Sequence, residues 1–245
     1  VLCGEWMSIK ALIQENGKFV DQPGQWGFAG HSGWWYSLEP VDVDADGDLD
    51  LIAGNIGLNN KWKIKDSHPL HVYANDFDEN GSTDIVLSSE YKGKLVPARG
   101  RECSSDQMPF IKEKFPTYSQ FANSSLSDVY GSEKLGEALH YEVNETRSMV
   151  WLNEGKSFKP LPLPNAAQIG PILSVVVLDA NKDKYPDLII GGDLSDTEPE
   201  TPAFDGSRGM LLLGGAGGAF QPVWLKDSGF FFPTKNVRDL AIFPA

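Results

Sequence analysis

Three short apolar runs recur along the chain, and each of them ends in Gly or Ser. They are 51–54 (LIAG), 85–88 (IVLS) and 188–191 (LIIG). Short apolar runs bounded by turn residues are typical of buried β-strands. The segments that precede them also have an extended character, and they are 36–41, 71–75 and 173–178. The pattern therefore predicts three pairs of strands, with a short polar loop inside each pair.

A helical periodicity marks the middle of the chain. Apolar residues recur at helical spacing in two groups, which are Met108, Ile111 and Phe115, then Tyr118, Phe121, Ala122, Leu126 and Val129. Asp106 is the predicted N-cap of the first helix, and Thr117 with Gln120 forms the predicted capping box of the second. A short third helix is predicted within 132–140. We therefore expect 99–147 to be a largely helical insertion.

Each predicted strand pair is joined by an acidic loop of nine residues, with Asp or Asn at positions 1, 3 and 5 and Asp at position 9. The candidate ligands are Asp42, Asp44, Asp46, Asp48 and Asp50 in the first loop (42–50), Asp76, Asp78, Asn80, Ser82 and Asp84 in the second loop (76–84), and Asp179, Asn181, Asp183, Tyr185 and Asp187 in the third loop (179–187). Carboxylates this close repel one another unless a hard cation lies between them, and Ca²⁺ takes six to eight oxygen ligands. The sequence predicts up to three calcium sites, in which position 7 offers its backbone carbonyl.

An EF-hand loop has a similar acidic pattern. It shares Asp-x-Asp-x-Asp-Gly but requires Glu at position 12 and helices on both sides. Position 12 is Ala53, Leu87 or Ile190 here, so an EF-hand is rejected. Plain acidic turns remain the alternative, because Asp, Asn and Gly dominate turns. We expect the first loop to bind best and the third worst, because Lys184 replaces its position 6 glycine and Lys182 lies beside the site.

A loop of the form Asp-x-Asp-x-Asp-Gly-x-x-Asp-Leu-Ile-x-Gly, followed later by x-Leu-x-Asn-x-Gly-x-Phe at 150–158, resembles the FG-GAP/VCBS repeat family. Related copies of the later segment lie at 12–19 and 211–220. The resemblance implies the calcium-loop blades of integrin α-subunit-like β-propellers, as in bacterial surface or secreted members. It leads us to expect an all-β chain that forms a β-propeller, or a propeller fragment, of about four blade repeats. These repeats would begin near Val1, Leu51, Ile85 and Leu188.

Both ends of the chain match parts of the repeat. Residues 1–4 align with the apolar run at 51–54, and 237–243 matches a strand that precedes a loop. We therefore expect 1–245 to form a single repeat domain whose two ends are cut within a repeat.

The composition restricts the partners and the cellular location that the sequence predicts. The formal net charge of −13 argues against a nucleic-acid partner, since phosphates would be repelled. Calcium sites of modest affinity fill only where calcium is near millimolar, which predicts an extracellular, cell-surface or periplasmic location. No apolar stretch is long enough to span a membrane. Cys3 lies at a strand position and is predicted to be a buried small hydrophobe, with a Cys3–Cys103 bridge as the alternative.

No catalytic constellation stands out, so no catalytic residue is assigned. The four histidines lack zinc spacing, and nucleophile-elbow and P-loop motifs are absent. Arg99 and Arg101 are candidate contacts for a carboxylate or sulfate ligand, and the alternative is that they pair with surface acids. The predicted function is non-catalytic binding or adhesion toward an extracellular protein or glycan. The alternative is part of a secreted polysaccharide-processing enzyme, with its active site on missing blades or on the helical insertion.

Overall fold

The computed structural model of the protein describes residues 1–22, 24–197, 201–229 and 237–243. Antiparallel sheet predominates within them, in three four-stranded and two two-stranded sheets, so the expected all-β class is confirmed. The strands are β1 (Glu5–Met7), β2 (Leu12–Glu15), β3 (Lys18–Asp21), β4 (Gly33–Trp34), β5 (Ser37–Val41), β6 (Asp50–Gly54), β7 (Leu70–Asn75), β8 (Asp84–Tyr91), β9 (Lys94–Pro97), β10 (Leu139–Val143), β11 (Met149–Asn153), β12 (Phe158–Pro162), β13 (Ser174–Leu178), β14 (Asp187–Gly191), β15 (Met210–Gly215) and β16 (Ala219–Val223). The helices are α1 (Arg101–Gln107), α2 (Phe110–Lys114), α3 (Tyr118–Ala122), α4 (Leu126–Tyr130), α5 (Ser132–Glu137) and α6 (Leu225–Ser228), with 3₁₀ turns at Asn165–Gln168 and Ala216–Gly218.

The described residues group into two compact units. Unit 1 contains Val1–Lys63 and the described part of Glu145–Ala245, and unit 2 contains Ile64–Asn144. The sequence leads us to expect one repeat domain. In the structure, unit 2 is inserted in sequence between β6 and β11, which are neighbouring strands of one sheet in unit 1. Each unit has a buried apolar cluster of its own, and this accounts for the division.

Unit 1 is built on two four-stranded sheets, in the orders β5-β6-β11-β12 and β13-β14-β15-β16. Successive residues of a strand point to opposite faces of its sheet. Ile52 of β6 accordingly packs in a cluster with Leu188, while Leu51 and Ala53 pack in another cluster with Trp151. Because both faces of β6 are buried, its sequence is an unbroken apolar run.

The segment at 150–158 and its two related copies, at 12–19 and 211–220, lie in hairpins. β2 pairs with β3, β11 with β12, and β15 with β16, each antiparallel to its neighbour in sequence. Gly17 and Gly155 occupy the first two of these turns with φ near +77°, which glycine adopts at no steric cost. All three hairpins lie in unit 1.

Unit 2 is one four-stranded sheet, in the order β10-β7-β8-β9, with α2–α5 packed on one of its faces. Tyr73 and Val86 of the sheet are buried in a cluster with Ile111, Phe121 and Val129 of the helices. The helical insertion thus provides the apolar cover that this sheet face requires.

The helix boundaries differ in part from expectation. The predicted N-cap at Asp106 is wrong, because α1 begins at Arg101 and Asp106 lies inside it. The capping box at Thr117 is confirmed. The second predicted helix is two helices, because Ser125 starts α4 with a capping box of its own.

The two ends of the chain form less regular structure than predicted. Residues 237–243 have no strand, and the Leu240 N–H donates to the side-chain hydroxyl of Ser174 in β13 rather than to a backbone carbonyl. Near the other end, Leu2 forms a single β-bridge with Lys10. Cys3 is partly buried, and burial raises the pKa of its thiol; Cys3 and Cys103 are not joined by a disulfide. No helix among the described residues is long and apolar enough to cross a membrane.

Candidate functional site: the three acidic loops

Each acidic loop connects two adjacent antiparallel strands. The first loop joins β5 to β6, the second joins β7 to β8, and the third joins β13 to β14. The predicted strand–loop–strand unit is therefore confirmed at all three places. The flanking strands also agree with the rejection of an EF-hand, whose loop lies between helices.

The three loops share one hydrogen-bond network. The position 5 N–H donates to the position 1 carboxylate at 3.2, 3.0 and 3.1 Å in loop order, and the position 6 N–H donates to the same carboxylate at 3.1, 2.8 and 3.2 Å. The position 5 N–H also contacts the position 3 oxygen, and the position 7 N–H donates to the position 5 oxygen. Backbone amides thus hold the side chains of positions 1, 3 and 5 around one point.

The backbone conformation repeats as well. Position 4 has a positive φ in every loop, with Ala45 at 63°, Glu79 at 62° and Lys182 at 63°. Position 6 also has a positive φ, and the third loop places Lys184 there at 77°. A non-glycine residue in this region costs roughly 1 kcal/mol. The third loop therefore adopts the same backbone geometry even though a positive φ is unfavourable for Lys184.

The arrangement of oxygens suits a calcium ion in the first two loops. One carboxylate oxygen from each of Asp42, Asp44 and Asp46 lies within 4.8 Å of the others, and the same holds for Asp76, Asp78 and Asp84. Two oxygens bound to one Ca²⁺ at about 2.3–2.6 Å lie at most roughly 5 Å apart. These are the groups of three or more potential metal-ligating side chains in the described part of the chain. The donor set, which contains only oxygen, is the type that Ca²⁺ takes.

The first loop carries uncompensated negative charge. Burial, followed by repulsion from the other loop carboxylates, raises the pKa of Asp48. One oxygen of Asp48 is buried and has no hydrogen-bond partner. A cation would relieve both conditions, which supports the first loop as the strongest of the three candidates.

The position 9 carboxylates close the loops. In each loop this carboxylate accepts the position 2 N–H, at 2.9 Å for Asp50, 3.0 Å for Asp84 and 2.7 Å for Asp187. The second oxygen of Asp50 accepts the Asn153 N–H at 2.7 Å, and that of Asp187 accepts the Gly214 N–H at 2.9 Å. The sequence predicts these residues as metal ligands, and the structure additionally assigns Asp50 and Asp187 a role in fastening each loop to the next strand of its sheet.

The second loop has an internal counter-charge that the sequence pattern does not reveal. The Lys134 ammonium group, on α5, donates to the Phe77 carbonyl at 2.8 Å and lies 2.9 Å from the Glu79 carboxylate. The Gly81 N–H and, more weakly, the Lys134 charge hold the pKa of Asp76 below its usual value. Lys134 lies about fifty residues beyond the loop in sequence, so no local spacing could identify it.

The third loop is the least acidic. Asn181 replaces the position 3 carboxylate, and its amide donates to Asp183 at 2.8 Å. Lys182 and Lys184 flank the same turn. Fewer carboxylates converge in this loop than in the first.

The two predicted ligand-binding arginines lie in unit 2, at a cavity of about 380 Å³ between β9 and α3. The Arg101 side chain is only 10% exposed, and it donates to the Phe115 carbonyl at 2.7 Å and to Glu102 at 2.8 Å. Arg101 therefore fastens the end of α2, which agrees with the alternative of pairing within the protein. Arg99 also lines the cavity, together with the exposed rings of Tyr91 and Tyr118.

Comparisons of the chain with protein-family models, with curated proteins and with solved structures gave no match.

Proposed function

We propose that this chain is a calcium-stabilised repeat module of the FG-GAP/VCBS type, which serves in binding or adhesion outside the cytoplasm. Its four-stranded sheets would be blades of a β-propeller or of a propeller fragment. Calcium would be structural, neutralising each loop and fixing the angle between its two strands. The partner would be an extracellular protein or a glycan.

The observation that carries this proposal is that the three loops have the same structure. They lie on three different sheets, and yet they repeat the same amide–carboxylate bonds and the same two positive φ angles. An acidic turn of no function has no reason to gather carboxylates in this way, because their mutual repulsion is unfavourable. A bound divalent cation removes that repulsion.

Calcium titration of the EDTA-treated full chain tests the metal sites. We expect at least two sites by isothermal titration calorimetry and a higher melting temperature in calcium, because a ligand that binds only the folded state stabilises it. Asp44→Asn should weaken one site, whereas Asp66→Asn, which lies outside the loops, should leave the titration unchanged. An identical melt in excess EDTA and in calcium would contradict the proposal.

The cavity between β9 and α3 is the candidate partner surface. Its exposed tyrosines, at 61% for Tyr91 and 64% for Tyr118, present flat apolar rings of the kind that stack on sugars and on protein side chains. Glycan-array binding of the calcium-loaded chain is the first screen, with Tyr118→Ala as the variant. Tyr141→Ala, 47% exposed and outside the cavity lining, is the matched control. Equal binding by both variants would place the partner surface elsewhere.

A further inference from the structure

Strand β10 is an exposed edge of the unit 2 sheet. It is an outermost strand in the order β10-β7-β8-β9, and four of its five residues, 139–142, are exposed. On its inner side it pairs with β7 along its whole length, from Leu139 opposite Ala74 to Val143 opposite Leu70. The outer side of an edge strand is a template on which a further strand can pair.

The other outer strands of the described four-stranded sheets are protected against such pairing. Proline cannot donate a backbone hydrogen bond, so it blocks the addition of a strand. Four of these outer strands contain proline, which are β5 (Pro40), β9 (Pro97), β12 (Pro160 and Pro162) and β16 (Pro222). The fifth, β13, has no exposed residue and lies against β5. Strand β10 has no proline and is exposed, so it is the outer strand suited to pairing.

The sequence of β10 is complementary to itself in the antiparallel direction. Its residues are Leu139, His140, Tyr141, Glu142 and Val143. If two copies pair about Tyr141, His140 lies opposite Glu142 of the second copy and Tyr141 lies opposite its own equivalent. Residues directly opposite on antiparallel strands have Cβ atoms about 4.5–5.5 Å apart and interact. A register shifted by two residues would instead place Glu142 opposite Glu142 or His140 opposite His140, so the sequence favours the register about Tyr141.

We propose that β10 is a self-association surface, on which two copies of this chain pair antiparallel about Tyr141. The pairing would join two four-stranded sheets into one sheet of eight strands. Such a twofold contact is isologous, because both copies use the same patch. The occupant is a second copy because the residue types that complement this strand are those that the strand itself supplies.

The side chains of the contact are already ordered in one copy. The His140 Nε2 and His71 Nδ1 atoms are 3.0 Å apart in a hydrogen bond between the rings, and the His140 ring stacks on Tyr73 with centroids 4.3 Å apart. These contacts leave the His140 Nδ1 atom for the carboxylate of Glu142 in the second copy, and the Glu142 side chain is 51% exposed. A side chain that is ordered before association loses little conformational entropy on binding.

The size of the surface predicts a weak association. Val143 is fully buried, so the contact centres on 140–142, with Leu139 at the outer end. Stable interfaces bury about 1,200–2,000 Å² in total, and transient ones bury less. A pairing of so few residues lies in the transient class. We therefore expect a dissociation constant between about 1 μM and about 1 mM.

The test is sedimentation equilibrium of the calcium-saturated full chain across that concentration range. We expect a reversible equilibrium between monomer and dimer. Tyr141→Lys should weaken it about tenfold, because an aromatic pair is lost and two ammonium groups lie directly opposite each other. Leu161→Lys is the matched control, since Leu161 lies on the outer strand β12 and is 36% exposed. This control should associate as the wild type does.

Two charge variants test the register itself. His140→Glu places carboxylates opposite each other, and Glu142→Lys removes the acid that His140 pairs with, so each variant alone should stay monomeric. An equimolar mixture of the two should associate, because the carboxylate introduced at position 140 then faces the ammonium group introduced at position 142. Damage to the fold of either variant could not produce this recovery.

Three results would overturn the proposal. They are a wild-type chain that stays monomeric throughout the range, a Leu161→Lys variant weakened as much as Tyr141→Lys, and a mixture of folded charge variants that does not associate. Far-UV circular dichroism of each variant checks that its fold is retained. Tyr141→Lys leaves the hydrogen bond between His71 and His140 in place, so it remains decisive if a charge variant fails to fold.

Discussion

Asp50→Asn is expected to destabilise unit 1 in the absence of calcium, although it removes a charge from a crowded acidic loop. Asp50 is 1% exposed, and its two oxygens accept the Val43 N–H at 2.9 Å and the Asn153 N–H at 2.7 Å. Asparagine has the same shape but only one acceptor oxygen. One of the two backbone N–H groups would therefore face an NH₂ group and lose its partner.

The size of the effect follows from these contacts. A hydrogen bond to a charged group contributes about 1.5–3 kcal/mol, and a buried donor without a partner costs about 1–3 kcal/mol. Burial raises the pKa of Asp50, so the neutral amide also recovers part of the cost of burying a carboxylate. We therefore expect a loss of about 2 kcal/mol in the free energy of unfolding.

Asp48→Asn in the same loop should have the opposite sign. Asp48 has a buried oxygen with no hydrogen-bond partner, and its pKa is raised by burial and by the neighbouring carboxylates. Neutralising it removes repulsion without breaking a bond to another strand. In EDTA we expect this variant to be more stable than the wild type, while its calcium affinity falls.

The assay uses the distribution of tryptophans. All seven lie within the sequence ranges of unit 1, so their fluorescence reports the unfolding of that unit. Urea denaturation in EDTA at neutral pH should shift the Asp50→Asn midpoint down by about 1 M, for a slope near 2 kcal/mol/M. The reasoning is refuted if Asp50→Asn matches the wild type, or if both variants move in the same direction.

Three further predictions concern charge. Lys134→Met should raise the calcium affinity of the second loop in a calorimetric titration. The reason is that the Lys134 ammonium group, 2.8 Å from the Phe77 carbonyl, competes with the ion for the loop. Lys112→Met, away from the loop, is the control. Arg101→Ala should lower the stability of unit 2 by about 1–3 kcal/mol, because the Phe115 carbonyl at the end of α2 loses its donor. Tyrosine fluorescence with far-UV circular dichroism would detect the change, and a stability equal to that of the wild type would contradict the role of Arg101 in holding the end of α2. The pKa of Asp48 is raised in the folded state, so Asp48 contributes stability at pH values below its ordinary pKa of 3.8, and this contribution is lost as the pH rises through its folded pKa. The pKa of Asp76 is lowered, so Asp76 contributes stability above pH 3.8, and this contribution is lost as the pH falls through its folded pKa. In EDTA, urea midpoints measured from pH 3 to pH 7 should therefore show opposite trends in Asp48→Asn and Asp76→Asn relative to the wild type.

The strands and loops could be predicted because the information for them is local. The run 51–54 is apolar at every position since both faces of β6 are buried, and the spacing of acids within nine residues predicts the turn between strands. Thr117 and Gln120 likewise predict the start of α3, because a capping box is contained within four residues. Each of these features is determined by neighbours in sequence.

The partners of the loops could not be predicted, because they depend on tertiary contacts. Asp50 bonds to Asn153 across the whole of unit 2 in sequence, and nothing in the spacing of the two residues indicates it. The pairing of His71 with His140 arises in the same way, from β7 and β10 lying side by side. The predicted cap at Asp106 failed for a different reason, since a polar segment with no apolar periodicity nevertheless forms α1.

The three loops differ less in backbone than in how their charge is balanced. The first loop holds five carboxylates and raises the pKa of Asp48, the second has the Lys134 ammonium group beside it, and the third contains two lysines and an asparagine. Because the amide–carboxylate bonds are the same in all three, the turn itself does not depend on which counter-charge is used. The stability of each loop should therefore depend less on calcium from the first loop to the third, because less negative charge is left uncompensated by the protein. A chain in which Lys134 is neutralised should then need calcium at the second loop almost as much as at the first.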